Sequence, residues 1–291
     1  MNEHHLSPKS LNKLPISSRY QTSLINKLIP RDVGRFMTAL LSIQIKLQEN
    51  IVGKFDDEVR LKRLQWWAQE LNSLKLFKSH LPETIELSKF IHKNSYLKES
   101  FFHWADSWIR LLISNQDSWL NQAEFNHFID DFNNSADLLF AECLLQMPLK
   151  HQLKEFVIAA GNAKTRVMFL RDFGEHVRNG HVFLPLNLLG EFDLTTQHLS
   201  EWRTEADARN WIEVSSFQAK FIDDLYIQAT QWLNPLPINE QKTVWPLRAQ
   251  LQLAMNTLKE IKQNDFAVIS QKIETSPGKS MLITLGSRFF S

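Results

Sequence analysis

Glycine is scarce in this chain: 8 residues in 291, against a usual share of about 7%. Folds built from hairpins or stacked sheets need many glycine-bearing turns. The shortage points instead to long helices with few connections, so the expected fold class is all-α. Cysteine is scarcer still. The single Cys143 excludes an intramolecular disulfide and fits a reducing compartment. It sits in the apolar run 141–145 and reads as a buried thiol, since reactive thiols need basic or helix-terminal surroundings. Charge of one sign is also missing: 33 Lys and Arg oppose 32 Asp and Glu. Basic residues are scattered apart from Arg60, Lys62 and Arg63, so no broad field draws in nucleic acid. No apolar run reaches the roughly 18 residues of a membrane span; the longest, 138–147, is broken by Glu142. Residues 1–13 are polar, without the apolar stretch of a secretory signal. The expected address is the cytoplasm, with any membrane contact peripheral.

Bulk is what the chain has in quantity. Nine tryptophans and 20 phenylalanines suit a bulky helical core, or an apolar cavity between helices for a long hydrophobic ligand. Helical periodicity and punctuation place the elements. Pro30 suits the first turn of a helix to about residue 51, carrying Phe36, Leu40, Ile43 and Leu47 and ended by Gly53. Asp56, Asp57 and Glu58 favour the positive end of a second helix, to about residue 76, with Leu61, Leu64, Trp67 and Leu71 on one face. Pro82 starts a helix to about residue 93, and 95–114 forms another with Phe101, Trp104, Trp108 and Leu111 as its stripe. A long segment, 121–146, ends before Pro148. One helix then spans 151–179, with Gly180 as its C′ residue. Helices at 205–233 and 241–263 flank an Asn234-Pro235-Leu236-Pro237 turn, and a short one follows Pro277. Without linker, repeat or composition break, a single domain over 17–291 is expected after a flexible segment 1–16.

The segment with most chemistry is 161–185. On a helix, Asp172, Glu175 and His176 stand at i, i+3 and i+4 and share a face, which Thr165 and Met168 continue toward the N-terminus. Two carboxylates one turn apart suit Mg²⁺, a hard ion that takes oxygen ligands and bridges to phosphates. Arg178 suits phosphate oxygens. The same residues also suit a plain solvated face.

The run Leu170-Arg171-Asp172, Glu175, Arg178, Gly180, then Val182-Phe183-Leu184-Pro185, resembles the second aspartate-rich motif of the squalene and phytoene synthase family. Residues 17–67 resemble that family's N-terminal region. They offer an opening Ser17, an apolar helix after Pro30 and Arg35, and the R-L-x-W-W signature as Arg63-Leu64-Gln65-Trp66-Trp67. Tyr226 with Ala229 resembles a late Y-x-x-A helix. The resemblance implies an all-α bundle around a central cavity for two prenyl diphosphates, with aspartate-rich helices holding Mg²⁺ on opposite walls. It implies head-to-head condensation with loss of diphosphate.

Two departures stand out. The first motif's aspartates fall on Gln48 and Val52, with Glu49 beside the first, and the second motif's last aspartate is His176. The family's upstream glutamine and asparagine correspond to Thr165 and Met168. The resemblance thus implies Asp172, Glu175 and Glu49 as metal ligands, and Gln48, Arg63, Arg178 and Tyr226 as substrate-binding residues. Mg²⁺ is the cofactor if the protein is active. A branch of the family with similarly eroded aspartates contains assembly factors of respiratory complex I. The expected function is therefore a family protein with weak or lost condensation activity and a binding or assembly role, with a prenyl diphosphate, another long apolar ligand or a respiratory-complex protein as partner. The alternative is an active head-to-head prenyltransferase. Asp56-Asp57-Glu58 is explained by the helix dipole. Asp130-Asp131 and Asp223-Asp224 read as solvated faces, and His4-His5 and His176 with His181 lack partners for zinc.

Overall fold

A computed structural model describes residues 16–53, 55–114, 119, 121–201 and 205–289. The expected flexible segment, all but its last residue, and the His4-His5 pair lie outside the described residues, as do the side chains of Ser17 and Asp57. Among the described residues every regular element is helical. In order these are α1 (Ile16–Leu28), α2 (Arg31–Val52), α3 (Asp57–Lys75), α4 (Pro82–Lys93), α5 (Lys98–Ser114) and α6 (Gln122–Ile129). A π-helical turn (Asp130–Asn134) leads into α7 (Ser135–Leu145), followed by α8 (His151–Arg171), α9 (Phe173–Arg178), α10 (Leu186–Glu191) and α11 (Thr196–Glu201). α12 (Glu205–Leu233), α13 (Ile238–Thr243), α14 (Trp245–Gln263) and α15 (Pro277–Phe289) complete the bundle. α8 runs through its middle, packed by α12, α14, α7 and the π turn.

Local chemistry explains two of the boundaries. Asn121 caps α6, its side chain accepting from the backbone N–H of Ala123 at 3.0 Å and Glu124 at 3.1 Å. α9 ends in a Schellman arrangement: His181 N–H donates to the His176 carbonyl at 2.9 Å and Gly180 N–H to that of Val177 at 3.0 Å. Gly180 supplies the positive φ, +87°, that this requires.

Four expectations are corrected. Leu61 is 53% exposed, while Leu64, Trp67, Leu71 and Leu74 are buried. A helix turns about 100° per residue, which puts Arg60 in line with that stripe and Leu61 off to its side. The segment 121–146 is not one regular helix, because the π turn interrupts it. The helix expected at 241–263 is two pieces, with α14 starting at Trp245 and Pro246 in its first turn, where a missing N–H costs nothing. The expected 151–179 helix breaks at Asp172 (φ −92°, ψ 9°). There α9 seats directly on the turn at 267–269: a Cβ at Gly174 would lie 2.6 Å from the carbonyl oxygens of both Val268 and Ile269. Only glycine allows that approach.

Candidate functional site: the cavity between α2 and α8

α2 and α8 face one another across a cavity of about 160 Å³. Leu41, Gln44, Ile45 and Gln48, at i, i+3, i+4 and i+7, form the α2 wall. Lys164, Thr165, Val167, Met168 and Arg171 form the α8 wall, and α14 adds Gln250, Leu253, Ala254 and Thr257. The π turn brings Asn133 between the two walls. Gln44 Nε2 donates to Asn133 Oδ1 at 3.0 Å, and Asn133 Nδ2 donates to Thr165 Oγ1 at 2.8 Å. A chain of neutral hydrogen bonds thus joins α2, the π turn and α8.

Both cations of the α8 wall carry a carboxylate behind them. Lys164 Nζ donates to both oxygens of Asp137 at 2.7 Å each, and to Gln250 Oε1 at 3.1 Å. Arg171 forks onto Asp172, Nε to Oδ1 at 2.7 Å and Nη2 to Oδ2. Burial opposes ionisation of Asp172, but the Arg171 charge and its hydrogen bonds outweigh it and hold the carboxyl below the usual range. Arg171 responds in the opposite sense: burial pulls it down, Asp172 raises it more, and the net direction is up. No carboxylate lines the cavity among the described residues.

The seven residues expected at the site do not converge. Gln48 lines the cavity. Glu49, its neighbour in sequence, faces a separate outer groove with Lys46, Arg63, Trp66 and Trp67. Arg63 lies over the Phe55 ring at 4.1 Å. Asp172 is bound by Arg171, and Glu175 stands exposed on α9. Arg178 is exposed and donates to the Ile269 carbonyl at 3.3 Å. Tyr226 is half-buried on α12, packed against the core. The helix break at Asp172 explains the scatter on the α8 side, because residues beyond it no longer continue the α8 face. On the α2 side, Gln48 and Glu49 are about 100° apart.

His176, at the position of the motif's last carboxylate, turns inward. It is 7% exposed and meets Phe183 edge-on at 4.7 Å and Phe169 at 5.9 Å. Burial drives its pKa down to about 4; Asp172 pulls the other way, while His181 and Arg171 add to the lowering. It is a neutral imidazole in an aromatic core. That core also holds Trp119, Phe125, Phe128 and Phe132, with Trp119 and Phe128 centroids 4.2 Å apart and Phe169 stacked on Phe183 at 4.5 Å. Only about 10 Å³ is left open at its edge. Arg166, 3% exposed, lies between Phe125 and Phe221 at 5.0 and 4.7 Å and donates to Asn126. Burial lowers its pKa to about 10, against the pull of Asp130. The other acidic pairs serve the surface, Asp131 pairing with Arg110 and Asp223 with Lys262.

Mg²⁺ demands a tight octahedron of oxygens, usually with one or two free carboxylates. Among the described residues no three His, Cys, Asp or Glu side chains gather as a metal site. Asp172 has both oxygens on Arg171, and Glu49 faces the outer groove, outside the cavity. The residues present do not fit a resident Mg²⁺. Sequence reasoning missed Asn133, Lys164, Arg171 and Gln250. Two of these had a signal: Lys164 and Arg171, seven residues apart, share the α8 face of Thr165 and Met168.

The squalene/phytoene synthase family model matches residues 17–279. A phytoene synthase of Arthrospira platensis is 30% identical over 129 residues, 44% of this chain and 40% of that protein. The 15-cis-phytoene synthase of Synechococcus elongatus is 30% identical over 115 residues, 40% of this chain and 35% of that protein. The matches thus span about two fifths or less of these curated relatives' own length. Among solved structures, a dehydrosqualene synthase in complex with ligand superposes with a TM-score of 0.66 at 12% identity, covering 95% of this chain and 99% of that one. A squalene synthase from Alicyclobacillus acidocaldarius gives 0.65 at 12% identity, covering 88% and 98%. These two share the fold. With the motif segment, the helical bundle and a family match over nearly its whole length, the chain belongs to the squalene/phytoene synthase family.

Proposed function

We propose that this protein binds a long apolar ligand between α2 and α8 and has weak or lost Mg²⁺-dependent condensation activity. Head-to-head condensation must stabilise a departing diphosphate, a task for metal ions held by free carboxylates. The observation that carries the reading is the Arg171–Asp172 pair, which engages both oxygens of the aspartate best matched to the family motif. Placement of Glu49 in the outer groove supports it. The role that follows is binding, with a protein partner in respiratory-complex assembly as the finer form of the proposal. The exposed Val59, Leu61 and Trp66 beside Lys62 and Arg63 support residence at a membrane periphery.

The test incubates purified protein with farnesyl or geranylgeranyl diphosphate, Mg²⁺ and NADPH. The expected result is no diphosphate release above a control carrying Asp172→Ala and Glu175→Ala. Release well above that control sinks the loss of activity, and a condensed hydrocarbon product beside it establishes the active prenyltransferase.

A further inference from the structure

We infer that the cavity between α2 and α8 takes an uncharged apolar molecule with a hydroxyl or carbonyl head, in preference to a diphosphate. The inference rests on the binding role proposed above and adds the chemistry of the ligand. Its basis is the charge balance of the walls. A diphosphate ester brings several negative charges, and burying them without compensation is strongly unfavourable. Two cations reach this cavity, and each is already neutralised from behind: Lys164 by Asp137 at 2.7 Å, Arg171 by Asp172. An incoming diphosphate gains full strength from either cation only by displacing a buried carboxylate, which then stands unpaired in its place. No carboxylate lines the cavity to recruit a metal as intermediary among the described residues.

A neutral head meets none of these penalties. The Gln48 amide lines the cavity and offers a donor and an acceptor together, which a hydroxyl matches fully and a carbonyl matches through the donor. The Gln44–Asn133–Thr165 chain fixes the amide orientations beside it, so the polar end of the cavity is preorganised without net charge. The opposite chemistry comes from Leu41, Ile45, Val167, Met168 and Leu253, which offer an apolar sleeve to the ligand's chain. The volume, about 160 Å³, suits one such chain better than two.

Isothermal titration of the full chain with geraniol and with geranyl diphosphate, each with and without Mg²⁺, tests this, with diphosphate release measured in the same samples. The alcohol is expected to bind roughly ten-fold or more tightly than the diphosphate, and Mg²⁺ to leave both unchanged. Asp137→Asn keeps the side-chain shape and frees Lys164; it should raise diphosphate affinity roughly ten-fold while moving the alcohol less than about two-fold. Should that variant not fold, Asp172→Asn frees Arg171 and carries the same expectation. Equal or tighter binding of the diphosphate by the unaltered protein, a gain from Mg²⁺, no binding of the alcohol, or folded variants with unshifted preference each overturn the inference. Inverted preference without diphosphate release sinks the inference alone, and release together with a condensed hydrocarbon product sinks the loss of condensation instead.

Discussion

α8 presents two faces that look equally ordinary in sequence and do opposite things. One carries Lys164, Thr165, Met168 and Arg171 to a cavity whose polar groups are amides, hydroxyls and balanced ion pairs. The other carries Arg166 and Phe169 into an aromatic core with almost no free space. The difference teaches that residue type alone does not mark chemistry. The cavity face has cations made electrically quiet by partners from α7 and from the end of α8 itself. The core face holds a guanidinium packed between rings and, one turn beyond the break, an imidazole kept neutral by burial.

The contrast is broken most severely on the core side. Phe128→Ala should cost about 3–5 kcal/mol, read by chemical denaturation, because its ring meets those of Trp119, Phe132, Phe169 and Phe183. An effect near that of a surface change would show a core loose enough to collapse around the gap. The next effect lies at the edge of the cavity. Asp172→Ala leaves Arg171, 11% exposed, without its partner and should cost about 3 kcal/mol. Replacing both, as Arg171→Met with Asp172→Ala, should recover most of that loss. A double variant as unstable as the sum of the singles would show that the two are not coupled.

A smaller effect depends on pH. The His176 pKa falls from about 6.5 unfolded to about 4 in the fold. Between those values the unfolded chain binds the extra proton, so stability is present above pH 6.5 and declines as pH falls toward 4. Of the protein's total loss from pH 6.5 to 5, about 2 kcal/mol belongs to this group. His176→Phe should flatten the pH dependence of Tm over that window; an unchanged slope would assign the loss to other groups. Smallest of all, Glu175→Ala and Gln48→Ala should each move stability by about 0.5 kcal/mol or less. A large loss for the exposed Glu175 would show that its charge near Arg171 matters more to the fold than its exposure implies.

Much of this was legible beforehand. The scarcity of glycine announced helices, and Pro30, Pro82 and Gly180 sit within two residues of the ends they marked. Those signals are local, since proline and glycine act on their own backbone. The motif segment 161–185 was legible as ancestry, because order and spacing survive in sequence. Its geometry was not. Asp172 was expected to stand with Glu175 and His176 on one face, but the break that α9 makes to meet residues 267–269 depends on a turn about ninety residues away. Nor does spacing reveal a π turn, which carries Asn133 into the cavity by one extra residue.

The sequence by itself determined the helical class, the outer ends of the long helices, the family and the absence of the first motif's carboxylates. These follow from composition, periodicity and residue identity. Only the tertiary structure decided that Asp172 is held by the arginine before it, that Lys164 is balanced by Asp137 from another helix, and that His176 is buried as a neutral ring. The physical reason is that charge is a property of surroundings: whether a carboxylate is a ligand, a counter-ion or a solvated group depends on which cations and how much water the fold places beside it.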